Sequence, residues 1–327
     1  MPLMIVVPDD APAVLGRSAA LDRLRALGEV RYFDSLPQDA AELVERIRNA
    51  DVVVNIRSSC MFTREVFAAC PRLRLLSIWG TGTDNVDLAA AQDRGVTVTN
   101  TPGVAASSVA EHALALLLTV AHRIVQQDSA VRAGTWPRGD AGLLQGKIVG
   151  VVGLGAIGRR FAELSRGIGM RVLAWSFHPK AIDGIELVSL ETLLSTSDVV
   201  SLHVRLSDKT ERMIGQREFE RMKPGAILIN TARGAIVDEA AVIQALSTGK
   251  LSGAGLDVFT TEPLPPAHPF TKAPNVVLTP HSAGITPEAL EAGLQLVVSN
   301  IASFLAGSPT HVVIGPQTGR APGAGAS

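Results

Sequence analysis

The sequence predicts an α/β protein with two doubly wound parallel sheets and a cleft between them. Three observations carry this. Short apolar runs alternate with helical patterns along nearly the whole chain, the order that yields parallel sheets covered by helices. A breaker cluster, Asn100-Thr-Pro-Gly103, followed by a long apolar helix, divides these alternating segments into two sets. In the second set one strand runs directly into three glycines, Gly153, Gly155 and Gly158, and then into a helix with a single apolar stripe. With 327 residues and 46% hydrophobic content the chain can bury two large cores, so two domains are expected.

The bulk properties exclude several classes of partner. A formal net charge of −1, without basic blocks, offers no electrostatic footprint for nucleic acid or a membrane surface. The start, MPLMIVVPDD, has no basic leader region and reads as a first strand, so a cytoplasmic protein is expected. Cys60 and Cys70 are too few and too far apart for a zinc motif or a disulfide framework; they read as small buried hydrophobes, and no metal site is expected.

In chain order, apolar runs at 4–7, 30–33, 52–56, 75–78 and 96–98 predict five strands of a first parallel domain, with helical patterns such as 40–47 between them. The segment Gly80-Thr-Gly-Thr-Asp-Asn-Val-Asp87 follows the fourth strand, where loops at strand C-ends carry ligand sites, and its free N–H groups suit a carboxylate. Ser108-Val-Ala-Glu111 has the form of a capping box and predicts a long helix from there to about Arg132, apolar on all sides over 113–118. That apolar portion is well short of the roughly 20 residues of a membrane span, so a helix buried between domains or subunits is expected.

Lys147 to Gly158 reads as strand, tight turn and helix. Ile157, Phe161, Leu164 and Ile168 form the helix stripe, and 171–175 supplies the next strand, completing a Rossmann-like βαβ unit. Gly153 permits the turn, Gly155 lets a pyrophosphate approach the backbone, and Gly158 lets helix and strand pack; Ala156 and Ile157 open the helix whose N-terminus faces the phosphates. The expected ligand is a dinucleotide. Arg159 and Arg160 stand where a P-loop needs Lys and Ser or Thr, which excludes that alternative.

Further strands ending at His203, Asn230, Val258 and Thr279 bring the second sheet to six. Gly153, Ser176, His203, Arg233, Glu262 and His281 all fall at or just beyond strand C-ends, which share one edge in a parallel sheet. An amphipathic helix from Pro287 to about Leu305 is expected to return to the first domain. The domains are therefore 1–100 with 285–314 for substrate, and 101–284 for the dinucleotide; 315–327, rich in Gly, Ala and Pro, reads as a disordered tail.

Hydride transfer to a keto acid needs a cation for the carboxylate, a proton donor, and a group that tunes the donor. Arg233, His281 and Glu262 supply these: a planar fork that matches a carboxylate, an imidazole that exchanges protons near neutral pH, and an anion that favours the protonated ring. Arg57, Ser58 and Ser59 near one strand end, and Trp79 beside the glycine turn, are expected to shape a pocket for a small polar side chain.

Four ordered segments carry a resemblance: Val151 to Gly158, Lys223 to Gly234, Gly255 to Pro263 and Leu278 to Gly284 look like successive signatures of the D-isomer-specific 2-hydroxyacid dehydrogenases. The likeness implies that Arg233 binds the substrate's carboxylate and carbonyl, that His281 is the acid/base with Glu262 as its partner, and that the Thr81 and Gly82 amides hold the carboxylate. It implies a homodimer with the long helix at its interface. Thr231 and Asp257, inside the quoted segments, join the expected cofactor set, and His203 is expected near the cofactor, although Arg205 departs from the family's usual Pro two residues after that histidine.

The expected substrate is a small 2-keto acid, glyoxylate or hydroxypyruvate. The alternatives are a phosphoglycerate- or phosphite-type dehydrogenase, or a dinucleotide-sensing protein like the corepressors that share this fold; Glu262 disfavours formate oxidation, for which the family carries Gln. The cofactor is NADP or NAD. The acid that usually holds the adenosine ribose is missing after the second strand, where the chain reads Trp175-Ser-Phe-His-Pro-Lys180. Ser176 stands 23 residues after Gly153, with His178 and Lys180 as cationic donors, so use of NADP is expected.

Overall fold

The computed structural model describes residues 2–57, 59–139 and 141–316. Ser58 and the part of the expected tail from 317 onward lie outside the described residues. Thirteen strands are found among those described: β1 (Met4–Val7), β2 (Glu29–Tyr32), β3 (Val52–Asn55), β4 (Leu75–Ile78), β5 (Thr97–Thr99), β6 (Ile148–Val152), β7 (Arg171–Trp175), β8 (Glu186–Leu187), β9 (Val199–Leu202), β10 (Ala226–Asn230), β11 (Leu251–Leu256), β12 (Val276–Leu278) and β13 (Val312–Ile314). The chain divides into two compact units, one running to Val104 and resuming at Pro287, the other Ala105–Thr286.

The first unit has a six-stranded sheet in the order β13-β5-β4-β3-β1-β2. β1 to β5 are parallel, and β13 is added antiparallel to β5, an edge strand that its three residues did not announce. The order of the parallel strands, 2-1-3-4-5, puts the topological switch between β1 and β3. The helix Pro287–Leu305 buries Leu294, Val297 and Ile301 against Ile5, Val7, Leu24 and Leu75; at about 1.5–3 kcal/mol per buried aliphatic side chain this is enough to hold it there. Gly293 is needed where the helix crosses Trp79, because a Cβ there would lie 2.1 Å from the indole Nε1. Trp79 packs against this core, with its N–H directed at Leu290 O, 3.4 Å away.

The second unit has a seven-stranded parallel sheet in the order β12-β11-β10-β9-β6-β7-β8, with the switch between β6 and β9. Six strands were expected. The seventh, β8, is two exposed residues with no apolar signature.

The helix Ala106–Ala121 packs on this sheet through Ala110, Ala113, Leu116, Leu117 and Val120. Two glycines of β11 admit it: a Cβ on Gly253 would lie 2.6 Å from Val120 Cγ1, and one on Gly255 2.8 Å from Leu116 Cβ. The helix starts at Ala106 without a side-chain cap, and the Ser108 hydroxyl donates to Ala283 O instead of closing the expected capping box. It also stops earlier than expected. Arg123 takes a left-handed backbone (φ 53°), and a separate helix, Ile124–Arg132, leaves at 61°. No single helix among the described residues is long and apolar enough to cross a membrane.

Candidate active site

Within the second unit, Gly153, Ser176, His203, Arg233, Glu262 and His281 follow the C-terminal ends of β6, β7, β9, β10, β11 and β12. Because all these strands are parallel, the six residues are carried on one edge of the sheet.

The His281 loop is built by Asp257, which is fully buried. Its Oδ1 accepts from Thr279 Oγ1 at 2.6 Å and Ser282 N–H at 2.9 Å, its Oδ2 from Ala283 N–H at 2.9 Å, and its backbone carbonyl from His281 N–H at 2.8 Å. These bonds hold His281 at φ 51°, a left-handed conformation that a residue with a Cβ adopts only under constraint. His112 Nε2 meets Thr279 Oγ1 at 2.9 Å, and Ser108 holds Ala283 O, so one helix braces the loop from behind. Asp257, expected on cofactor grounds, spends its carboxylate on this loop.

His281 Nδ1 lies 2.7 Å from Glu262 Oε2. Glu262 is fixed at its other oxygen, Oε1, by Phe259 N–H at 2.9 Å. Burial alone would raise this carboxyl, but the hydrogen bond and charge of His281, the Phe259 N–H and the Arg233 guanidinium together carry it below its ordinary value. It is an anion at neutral pH. His268, the other histidine of this stretch, is occupied elsewhere: Nε2 faces Glu239 at 3.5 Å and Nδ1 accepts from Phe270 N–H.

Arg233 is set by its neighbours. The Asn230 amide donates to Arg233 O at 2.9 Å and accepts from Ala232 N–H at 3.0 Å, and the guanidinium donates to Ala232 O at 2.8 Å. Gly234 lets this turn lie on the chain that leads to Glu262, since a Cβ there would come within 2.0 Å of Phe259 C. Asn230, Gly234, Thr279, His112 and Ser108 act as supports, a role that the sequence does not reveal: Ser108 reads there as a helix cap, Asn230 and Thr279 as strand ends, and Gly234 only as the residue after Arg233.

The glycine loop separates three requirements. Gly153 has φ 103°, and a Cβ on it would lie 2.6 Å from His203 O; a Cβ on Gly158 would lie 1.9 Å from Gly153 O. Both are demanded by the fold. Among the described residues, no atom other than those of its chain neighbours lies within 4 Å of the Cβ position of Gly155, so packing does not explain that glycine, whereas a phosphate brought close to the backbone does. Gly155 also caps the helix Ala156–Gly167 without a side chain, leaving the amides of Ala156, Ile157 and Gly158 at the N-terminus for an anion. At the end of β10 the Thr231 hydroxyl is buried with no partner among the described residues, a polar atom awaiting one. These features fit a dinucleotide.

His203 sits behind the glycine loop, with Nε2 2.9 Å from Ser201 Oγ and its ring 5.0 Å from that of Phe161. Desolvation pushes its pKa down to about 3, so it is neutral and brings no charge to a phosphate. Ser176 Oγ accepts from His178 N–H at 3.3 Å, and Phe177 stands edge-on to Trp175 at 4.7 Å; Phe177, His178 and Lys180 are exposed.

In the first unit the glycine turn after β4 has Gly80 at φ 122°. Thr101 Oγ1 accepts from Gly80 N–H at 2.7 Å, and Asn100 donates to Thr81 O at 2.9 Å. The N–H groups of Thr81 and Gly82 have no acceptor among the described residues. Ser59 is exposed; Arg57 is partly buried and reaches Pro12 O with its guanidinium at 2.6 Å.

Residues 114–283 match the family profile of the D-isomer specific 2-hydroxyacid dehydrogenase NAD binding domain. The chain is 43% identical to a glyoxylate reductase of Thermococcus litoralis over 83% of this chain and 86% of that one. It is 41% identical to a glyoxylate reductase of Korarchaeum cryptofilum, over 86% and 87%. An acyclic imino acid reductase solved with NADPH and D-Arg superposes with a TM-score of 0.88 at 31% identity, over 95% of this chain and all of that one. With the motif order, the two parallel sheets and these relatives in agreement, the chain belongs to the D-isomer-specific 2-hydroxyacid dehydrogenases and is an NAD(P)-dependent oxidoreductase of 2-keto and 2-hydroxy acids.

Proposed function

We propose that this enzyme reduces glyoxylate or hydroxypyruvate to the D-2-hydroxy acid, with Arg233, Glu262 and His281 as its catalytic residues. The observation that carries the reading is the 2.7 Å pair of His281 and Glu262 on a loop pinned by Asp257, with the Arg233 charge acting on the same carboxylate. The bound reduced nicotinamide supplies the hydride. Glu262 takes the Nδ1 side of the imidazole, so Nε2 carries the proton that goes to the keto oxygen as it becomes a hydroxyl. Arg233 binds the carboxylate and the carbonyl oxygen, where negative charge develops. The Thr81 and Gly82 N–H groups, which have no acceptor among the described residues, are assigned to the substrate's carboxylate, and Ser58 and Ser59 to recognition of its side chain.

On the cofactor side, Gly153, Gly155 and Gly158 with the Ala156 and Ile157 amides cradle the pyrophosphate, and the Thr231 hydroxyl is a further donor. Ser176, His178 and Lys180, in place of an acid, admit the 2′-phosphate of NADP. The enzyme is read as a cytoplasmic homodimer. Support for the dimer comes from Ile124, Val125, Val131, Trp136 and Leu143, all exposed apolar side chains in one stretch of the second unit.

The test is turnover of glyoxylate, hydroxypyruvate, pyruvate and 3-phosphohydroxypyruvate with each reduced nicotinamide. The reading expects the first two to have the highest kcat/KM. A tenfold advantage for the phosphorylated acid, about 1.4 kcal/mol, would replace it with the phosphoglycerate-type reading.

A further inference from the structure

Asp9 and Asp10 are adjacent, and both are fully buried beyond the end of β1. Asp10 serves its own neighbourhood, accepting from the N–H groups of Val14, Leu15 and Gly16 at 2.8, 3.1 and 3.2 Å. Asp9 reaches across the sheet. Its Oδ1 accepts from Ile56 N–H at 3.0 Å, and its Oδ2 from Arg57 N–H at 2.9 Å and Asn55 Nδ2 at 2.5 Å. The Cys60 thiol also donates to it. These donors lie at the end of β3, so the carboxylate occupies the switch point between β1 and β3, where open sheets of this kind bind ligands.

The chain of contacts continues to a second loop. Asn55 Nδ2 also donates to Arg57 O at 2.8 Å, while Asn55 Oδ1 accepts from Asn85 Nδ2 at 3.0 Å. Asn85, itself buried, donates again to Cys60 O at 2.8 Å, and its backbone carbonyl accepts from Phe62 N–H at 2.8 Å. Asn85 closes the glycine turn whose other end is held by Asn100 and Thr101. A buried anion therefore ties the turn after β3 to the Thr81–Gly82 turn after β4. A buried carboxylate is costly, and here each donor that satisfies it belongs to β3 or the turn after it.

We propose that Asp9, acting through Asn55 and Asn85, is the positioning residue that sets the substrate-binding turns of the first unit, and so determines affinity for the 2-keto acid without taking part in hydride transfer. This rests on the reading that Thr81 and Gly82 bind the carboxylate. Asp9 touches neither turn's ligand atoms; it fixes the backbone that presents them.

Asp9→Asn keeps the shape but sets an NH2 group against donors, and Asn85→Ala cuts the link to the glycine turn while leaving Asp9 in place. Each variant is expected to raise KM for glyoxylate about tenfold, with kcat close to wild type, as loss of uniform binding does. The Kd for NADPH, read by fluorescence titration, should stay unchanged. The double variant should show less than the product of the two effects, because both act through Asn55. Unchanged KM in Asn85→Ala, or a fall in kcat with KM unaltered, overturns the proposal, as do multiplicative effects. If Asp9→Asn does not fold, the KM and kcat of Asn85→Ala suffice to uphold or overturn it. His281→Ala run alongside separates this inference from the catalytic reading: retained turnover there overturns the assignment of His281 and leaves the KM comparison standing.

Discussion

The Nδ1 of His281 lies 2.7 Å from Glu262 Oε2, which leaves Nε2 as the only ring nitrogen able to serve a substrate. His281→Ala is therefore expected to lower kcat for keto-acid reduction by about 10²- to 10⁴-fold, the usual contribution of a general acid. Cofactor Kd should stay within about twofold of wild type, because the imidazole acts on the substrate. Steady-state kinetics with a dinucleotide titration decide it, and a variant that keeps roughly a third of wild-type kcat would return the acid's role to another group.

Glu262→Gln keeps the Phe259 contact, since the side-chain carbonyl still accepts that N–H, but removes the charge. The carboxylate is held below its ordinary value in large part by the hydrogen bond and charge of His281, and the variant takes that anion away from the ring. Reduction needs the protonated ring, so the alkaline limb of its pH profile should move to lower pH in the variant. A limb that stays in place means that Glu262 does not govern the acid.

Asp9 gives a pH-dependent stability of unusual sign. Desolvation raises its carboxyl from 3.8 to about 6, against the opposing hydrogen bonds of Ile56, Arg57, Cys60 and Asn55. Its folded-state pKa exceeds its unfolded one, so its contribution is most favourable below about pH 4 and is lost as pH rises through 6, a change of about 3 kcal/mol. Cys60, pushed upward by burial and by Asp9, stays a thiol across this range. The stability deficit of Asp9→Asn relative to wild type should therefore be larger at pH 5 than at pH 7.5 in denaturant titrations. A deficit that is constant or grows with pH contradicts this.

Much of the second unit was legible because its signals are local. A strand that runs into Gly153, Gly155 and Gly158 dictates turn and helix by steric necessity, and residues at strand ends share an edge once the sheet is parallel. Long-range contacts left no such mark. Asp9 sits in Pro-Asp-Asp-Ala-Pro, which reads as a polar turn, and nothing local says that its carboxylate accepts from N–H groups 47 and 48 residues away. Arg123 breaks the long helix by taking a left-handed backbone that sequence patterns assign to glycine. The packing of Trp79 also left no local mark, because Gly293, which makes room for its indole, lies more than two hundred residues later.

The glycine loop yields a paired test. Gly158→Ala places a Cβ 1.9 Å from Gly153 O, so the backbone must move, and a loss of about 1–3 kcal/mol of stability is expected. Gly155→Ala meets nothing within 4 Å among the described residues beyond its chain neighbours, and its backbone (φ −68°, ψ −170°) suits alanine. It should keep its thermal midpoint without cofactor and raise the dinucleotide Kd by about tenfold, or about 1.4 kcal/mol. Equal behaviour of the two variants in both measurements would refute the division of labour among the glycines.

The remaining prediction concerns which nicotinamide is used. A carboxylate after β7 would hydrogen-bond the ribose and repel a 2′-phosphate; Ser176 stands there instead, immediately beyond Trp175. Its hydroxyl accepts from His178 N–H, which leaves its own proton to donate to a phosphate or a ribose oxygen. His178 and Lys180 are exposed beside it, able to turn toward an anion, and His203 is neutral and adds nothing. Loss of the acid removes the penalty against NADPH without building the arginine clamp of a strict NADP enzyme, so NADPH should be used at least as well as NADH, with moderate preference at most. The ratio of kcat/KM for the two cofactors measures this, and a preference for NADH of about tenfold, or 1.4 kcal/mol, contradicts it. Ser176→Asp should restore the repulsion and raise KM for NADPH far more than for NADH. If it raises both alike, the serine lies away from the 2′ position and the missing acid is not what sets the choice.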